Sequence, residues 1–263
     1  MTASLTPDLL VHLWIHALDD AQMDSARIAA CLAGLPPDER ATFHGITHSR
    51  GNATFLASRY LTRQLLSTRT GLDPCQITLS KDDVGKPFLP RDATGCAGVA
   101  FNLAHSRQVV AVAACVAGGD EVDIGVDVEE ETPEDIPSFS QEWFFPGEHQ
   151  WLTHQPGVSA RKSFKILWAL KESHLKAMGK PLEIPLHDIR FDLNFPDITI
   201  VSENGLGPSG TTVACYDVGA GAFAAVCVRH PRGQQVQVEC QRVDLEGRGM
   251  DSSDLLLLGR TRP

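Results

Sequence analysis

The chain has no apolar run long enough to cross a bilayer. Its first residues hold no basic region followed by an apolar stretch, so no secretory signal is expected. Positive charge is also scarce: 23 Lys and Arg stand against 33 Asp and Glu, a net charge of −10. That balance argues against a nucleic-acid-binding role, which needs a basic stripe. It does not exclude a basic pocket for an anionic ligand, because net charge does not describe a cleft. Paired cysteines are missing as well. Seven cysteines, at 31, 75, 96, 115, 215, 227 and 240, include no CxxC pair. This odd, scattered set points to reduced thiols in a cytoplasmic protein, with neither a disulfide framework nor a zinc site.

What is present is a chain of 263 residues, 43% hydrophobic, long enough for one large domain or two of ordinary size. Residues 8–16 read as a first strand and 20–33 as a helix. Another helix enters at Pro36-Pro37. In 50–70 the residues Phe55, Leu56, Tyr60, Leu61, Leu65 and Leu66 recur at helical spacing. Residues 76–90 and 98–118 look like strands, and Gly118-Gly119-Asp120 then breaks the pattern. Beyond it come a strand at 121–129, a proline-punctuated connection at 130–138, and helices at 141–153 and 159–179. Strands follow at 188–193, 197–202, 211–217 and 221–229.

This pattern predicts an α+β protein with an N-terminal half (1–118), a C-terminal half (119–245) and a tail (246–263). The tail, with Leu255–Leu258, is expected as a short docking helix or a frayed end. Ala113-Ala114-Cys115-Val116 echoes Ala225-Val226-Cys227-Val228 late in each half. Two readings stand: coincidence between core strands, or a duplicated unit. The second would give two pseudo-symmetric halves with the site in the cleft between them.

Four clusters carry chemistry. In Gly125-Val126-Asp127-Val128-Glu129 the strand period aims Asp127 and Glu129 to one face, about 7 Å apart, with Val126 and Val128 on the other. Asp123 shares the acidic face. The pair is either a solvated face or a site for a hard cation, which would relieve the repulsion. In Trp168-Ala169-Leu170-Lys171-Glu172-Ser173-His174-Leu175-Lys176, Glu172 and Lys176 stand four residues apart on a largely apolar helix. They read as an ordinary helix pair or as a partly buried functional one. Phe101-Asn102-Leu103-Ala104-His105-Ser106 offers a histidine that is either structural or catalytic. Gly85-Lys86-Pro87 presents a lysine on a turn.

In this order the clusters resemble the 4′-phosphopantetheinyl transferase superfamily, in its longer, monomeric type. Gly85-Lys86-Pro87, Phe101-Asn102 with His105-Ser106, Gly125–Glu129, and Trp168 with Lys171-Glu172, Lys176 and Gly179 match its motifs over roughly 35–195. Phe144-Phe145-Pro146-Gly147-Glu148 matches its aromatic segment. Ala104 departs from the serine of many members, which would remove one polar contact to the ligand.

The resemblance implies a cleft enzyme that transfers phosphopantetheine from coenzyme A to a serine of an acyl or peptidyl carrier protein, releasing 3′,5′-ADP. It implies Mg²⁺ held by Asp127, Glu129 and Glu172, with Glu172 also as base and Lys176 on the leaving group. It implies coenzyme A contacts from Lys86, His105 and Ser106, with Arg50, Arg59 or Arg63 on the 3′-phosphate. Phe144, Phe145 and Trp151 are either core or an apolar docking surface for the carrier. A monomer with no nucleic-acid or membrane partner is expected. The competing readings are a Mg²⁺-dependent phosphoesterase and a non-catalytic coenzyme A-binding module.

Overall fold

The computed structural model describes residues 8–18, 24–46, 49–83, 85–90, 95–154, 157–179, 184–202 and 210–261, without the side chains at 49, 50, 158 and 202. Two sheets pack face to face, and each carries helices on its outer side. The first sheet contains β1 (Leu9–Ala17), β4 (Val99–His105), β5 (Val109–Val116) and β11 (Val236–Arg242), in the order β11-β1-β5-β4. Against it lie α1 (Ser25–Ala33), α2 (Pro37–Gly45) and α3 (Ser49–Thr70). A two-stranded hairpin, β2 (Ser80–Lys81) and β3 (Pro87–Phe88), pairs with neither sheet.

The second sheet contains β6 (Asp123–Glu129), β7 (Arg190–Asn194), β8 (Asp197–Ser202), β9 (Gly210–Asp217), β10 (Phe223–His230) and β12 (Leu256–Arg260). Its order is β6-β10-β9-β12-β8-β7. It is covered by α4 (Ile136–Trp143), α5 (Pro146–Thr153) and α6 (Gly157–Met178).

The alternation of β1, β5, β6 and β10 explains the layers. Val11, Leu13, Ile15, Ala111, Ala113, Val126, Val128, Ala224 and Val226 fill the core between the sheets. Trp14, Val110, Val112 and Ala114 turn outward onto α3, whose Leu56, Leu61, Leu65 and Leu66 supply the facing stripe. Phe223, Ala225 and Cys227 do the same towards α6.

The two halves share one topology. β1, α3, β4 and β5 recur as β6, α6, β9 and β10, with the pairings β1-β5-β4 and β6-β10-β9 all antiparallel. The echoing segments at 113–116 and 225–228 fall in the equivalent strands β5 and β10. The edge strands β4 and β6 meet where the sheets face each other, and Asn102 Oδ1 accepts the Val126 amide at 2.9 Å.

Several expectations are corrected. The stretch 98–118 is a hairpin of two strands, and 76–90 holds only the short β2 and β3. β11 falls within 119–245 yet pairs in parallel with β1 of the first sheet, so that span is not one closed unit. The tail is neither helix nor frayed: β12 inserts between β9 and β8. Gly118 and Gly119 do break the pattern, at φ of 62° and 119°, a region open to glycine. No helix among the described residues is long and apolar enough to cross a membrane.

Candidate active site

At the candidate site β6 is crossed closely by α6. A Cβ built on Gly125 would lie 1.9 Å from the Ser173 carbonyl oxygen and 2.4 Å from the Ala177 nitrogen. Both obstacles are backbone, so the glycine is what lets helix and strand touch. That close crossing brings Glu172 and Lys176 beside the acidic face of β6. Lys176 Nζ donates to Asp127 Oδ1 at 2.7 Å. The other oxygen, Asp127 Oδ2, is buried without a hydrogen-bond partner.

Burial raises the Asp127 pKa, opposed by the Lys176 ammonium. Burial also raises Glu129, whose Oε1 accepts the amides of Glu130 and Glu131 at 2.9 and 2.8 Å. Glu172 is raised by burial and then by the charges of Asp127 and Glu129. The three acids therefore sense one another. They do not form a finished metal cage: no three His, Cys, Asp or Glu among the described residues are grouped to hold a metal ion. Lys176 takes one oxygen of Asp127, and Glu129 is turned onto its own following amides.

Lys86, expected as a coenzyme A contact, has two main-chain partners. Its ammonium donates to the carbonyls of Lys176 at 2.7 Å and Ile124 at 3.2 Å. The Lys176 carbonyl belongs to the last turn of α6, where it also accepts the Gly179 amide at 3.3 Å and where a cation is favoured. Lys86 thus clamps the β3 turn to β6 and α6.

His105 ends β4 and Ser106 opens the turn into β5. The His105 pKa is lowered by desolvation, and then by the charges of Lys176 and Arg59. This favours the neutral imidazole. Ser106 Oγ is buried without a partner. Ala104 is buried in the core between the sheets.

The three arginines separate. Arg63 is 2% exposed, donates to Glu39 at 2.9 Å and reaches the Ile77 and Pro74 carbonyls, so it is a strut inside the first half. Arg59 is half-buried, 4.0 Å from Glu39 and within electrostatic reach of His105. Arg50 lies on α3, with its side chain outside the described residues.

Four residues have partners that spacing does not reveal. Lys171 is wholly buried, pairs with Glu148 at 2.7 Å and donates to the Leu186 and Ile189 carbonyls. Glu148 in turn accepts the Phe145 and Phe191 amides. Both residues lie in matched motifs, but only the apolar flanks of Lys171 signal that the pair is buried. Asn102 joins the two edge strands, and Glu130 accepts amides from the His105 turn. Phe144 is core, stacked with Phe164 and near Phe139 and Trp168, so it offers no docking surface. Phe145 carries the Arg190 guanidinium 4.0 Å above its ring, Trp151 is partly buried, and the neighbouring Trp143 is exposed.

Residues 123–219 match the model of the 4′-phosphopantetheinyl transferase superfamily, and residues 22–117 match that of the 4′-phosphopantetheinyl transferase N-terminal region. The chain is 32% identical over 170 residues to 4′-phosphopantetheinyl transferase HetI of Nostoc sp., covering 64% of this chain and 68% of that protein. It is 28% identical over 201 residues to a 4′-phosphopantetheinyl transferase of Bacillus subtilis, covering 76% of this chain and 84% of the relative. Against 4′-phosphopantetheinyl transferase Sfp of Bacillus subtilis (strain 168) the figures are 27% over 197 residues, with 75% and 83% covered. Motif order, topology and these likenesses agree: the chain belongs to the 4′-phosphopantetheinyl transferase superfamily, in its longer type, and is an enzyme that transfers phosphopantetheine to carrier proteins.

Proposed function

We propose that transfer takes place where β4 and β6 meet, with coenzyme A as donor and an acyl or peptidyl carrier domain as acceptor. The carrier's serine oxygen attacks the β-phosphorus of coenzyme A. A new P–O bond forms to serine, the bond to the α-phosphate oxygen breaks, and 3′,5′-ADP leaves with that electron pair. Glu172 accepts the serine proton, directly or through one water. Its raised pKa supports this role, since a base closer to neutrality is more effective at physiological pH. Lys176 stabilises the departing phosphate by charge, and His105, Ser106 and Arg59 bind the donor's anionic end.

The residues also fit a magnesium ion. Asp127, Glu129 and Glu172 are mutually repelling carboxylates, and Asp127 Oδ2 is buried without a partner. Magnesium is usually held by one or two carboxylates plus substrate phosphates and water, so no finished protein cage is needed. When bound, the ion neutralises charge on the pyrophosphate and orients it.

The orphaned Asp127 Oδ2 beside Lys176 is the observation that carries this reading. We place the enzyme in the cytoplasm as a monomer; its seven cysteines are all free, which suits a reducing compartment. Calorimetric titration of coenzyme A tests the metal assignment. Affinity should rise with Mg²⁺ in the parent protein and lose that dependence in Asp127→Ala. Equal Mg²⁺ dependence in both proteins would remove Asp127 from the ligand set.

A further inference from the structure

The turn that carries His105 and Ser106 is closed by Ser106 N donating to the Val109 carbonyl at 2.9 Å. Its next two amides, Arg107 N and Gln108 N, point out of the hairpin. Both are taken by a single carboxylate from the other half. Glu130 Oε2 accepts Arg107 N at 3.1 Å, and Oε1 accepts Gln108 N at 3.0 Å. Glu130 follows Glu129 at the end of β6, and its own amide donates to Glu129 Oε1. One residue therefore links the acids of the second half to the His105 turn of the first. The Arg107–Glu131 pair nearby, at 3.7 Å, is exposed on both sides and adds little.

We propose that Glu130 is a positioning residue for the transfer: its two carboxylate oxygens hold the 105–109 turn against the end of β6, and so fix His105 and Ser106 relative to Asp127 and Glu129. The inference rests on the reading that His105 and Ser106 contact coenzyme A. Its chemistry is specific. A carboxylate offers both oxygens to two adjacent amides, whereas a glutamine side chain can accept only at its carbonyl oxygen. Bonds to an ionised acceptor are the stronger kind. Glu130 touches no reacting atom, so its loss should disturb donor binding more than turnover at saturation.

The test compares Glu130→Ala, Glu130→Gln and His105→Ala in the full chain. Coenzyme A affinity is read by calorimetry, KM and kcat by carrier labelling, and the Arg107 and Gln108 amides by hydrogen exchange. Glu130→Ala should weaken coenzyme A about tenfold, the worth of one charge-assisted bond, leave kcat nearly unchanged and speed exchange at both amides. Glu130→Gln should fall between parent and alanine, and it keeps the test valid where the alanine variant folds poorly. Loss of affinity in His105→Ala with parent-like affinity in Glu130→Ala would overturn the positioning role alone. Parent-like affinity in His105→Ala would overturn the donor-contact reading, and the positioning role with it.

Discussion

At the scale of single residues, Gly125 and Glu172 carry opposite demands. Gly125 serves packing. An alanine there must push apart two backbone segments, since no flexible side chain can yield. Gly125→Ala should cost at least about 3 kcal/mol, at the upper end of overpacking effects, and abolish transfer. A denaturant titration within 1 kcal/mol of the parent would show that α6 is not seated on β6 as described.

Glu172, the proposed base, is held at the expense of stability. Its folded pKa is raised, so between the ordinary carboxylate range and that raised value the folded state holds a proton that the unfolded state has released. Stability from this group therefore falls as pH rises through that window. Glu172→Gln should melt no lower than the parent at neutral pH while losing about 10² or more in kcat. The acid limb of the parent's kcat/KM profile should likewise lie above the ordinary carboxylate range. A lower melting temperature with undiminished turnover would invert both assignments.

At the scale of elements, α6 has two faces with different jobs. Lys171 looks inward to Glu148 on α5, while Glu172 and Lys176 look towards β6. Removing one member of a buried pair strands the other, so Lys171→Met should cost about 3–5 kcal/mol. The double variant Lys171→Met with Glu148→Gln should recover part of that loss in thermal and denaturant unfolding. A single variant as stable as the parent would make the pair dispensable.

The motif residues of α6 and β6 were legible because period and charge coincide there: Val126 and Val128 fill the core while Asp127 faces the helix. The role of Lys86 was not legible, because its partners are main-chain carbonyls that carry no residue identity. The three arginines of α3 are not ranked by spacing for a related reason. A helical arginine reads the same whether it meets a phosphate or Glu39.

At the scale of the molecule, the halves are interlocked by strands from late in the chain. β11 edges the first sheet, and β12 joins β9 to β8 in the second. Neither exchange follows from local pattern, since both strands pair across long sequence separations. A chain ending at residue 245 keeps β11 but loses β12, and with it the link from β8 to β9. Its β7 and β8 amides should lose hydrogen-exchange protection, while those of β6 and β10 retain it. Parent-like protection in β7 and β8 would mean that β12 does not hold the sheet together.

Transfer through the cleft between the halves is tested most directly by intact mass spectrometry of an apo carrier protein incubated with the enzyme, coenzyme A and Mg²⁺. The prediction is one phosphopantetheine added to the carrier serine by the parent, and none over the same interval with Asp127→Ala or Glu172→Ala. Addition at the parent rate by either variant, both shown to be folded, would contradict the assignment of this cleft.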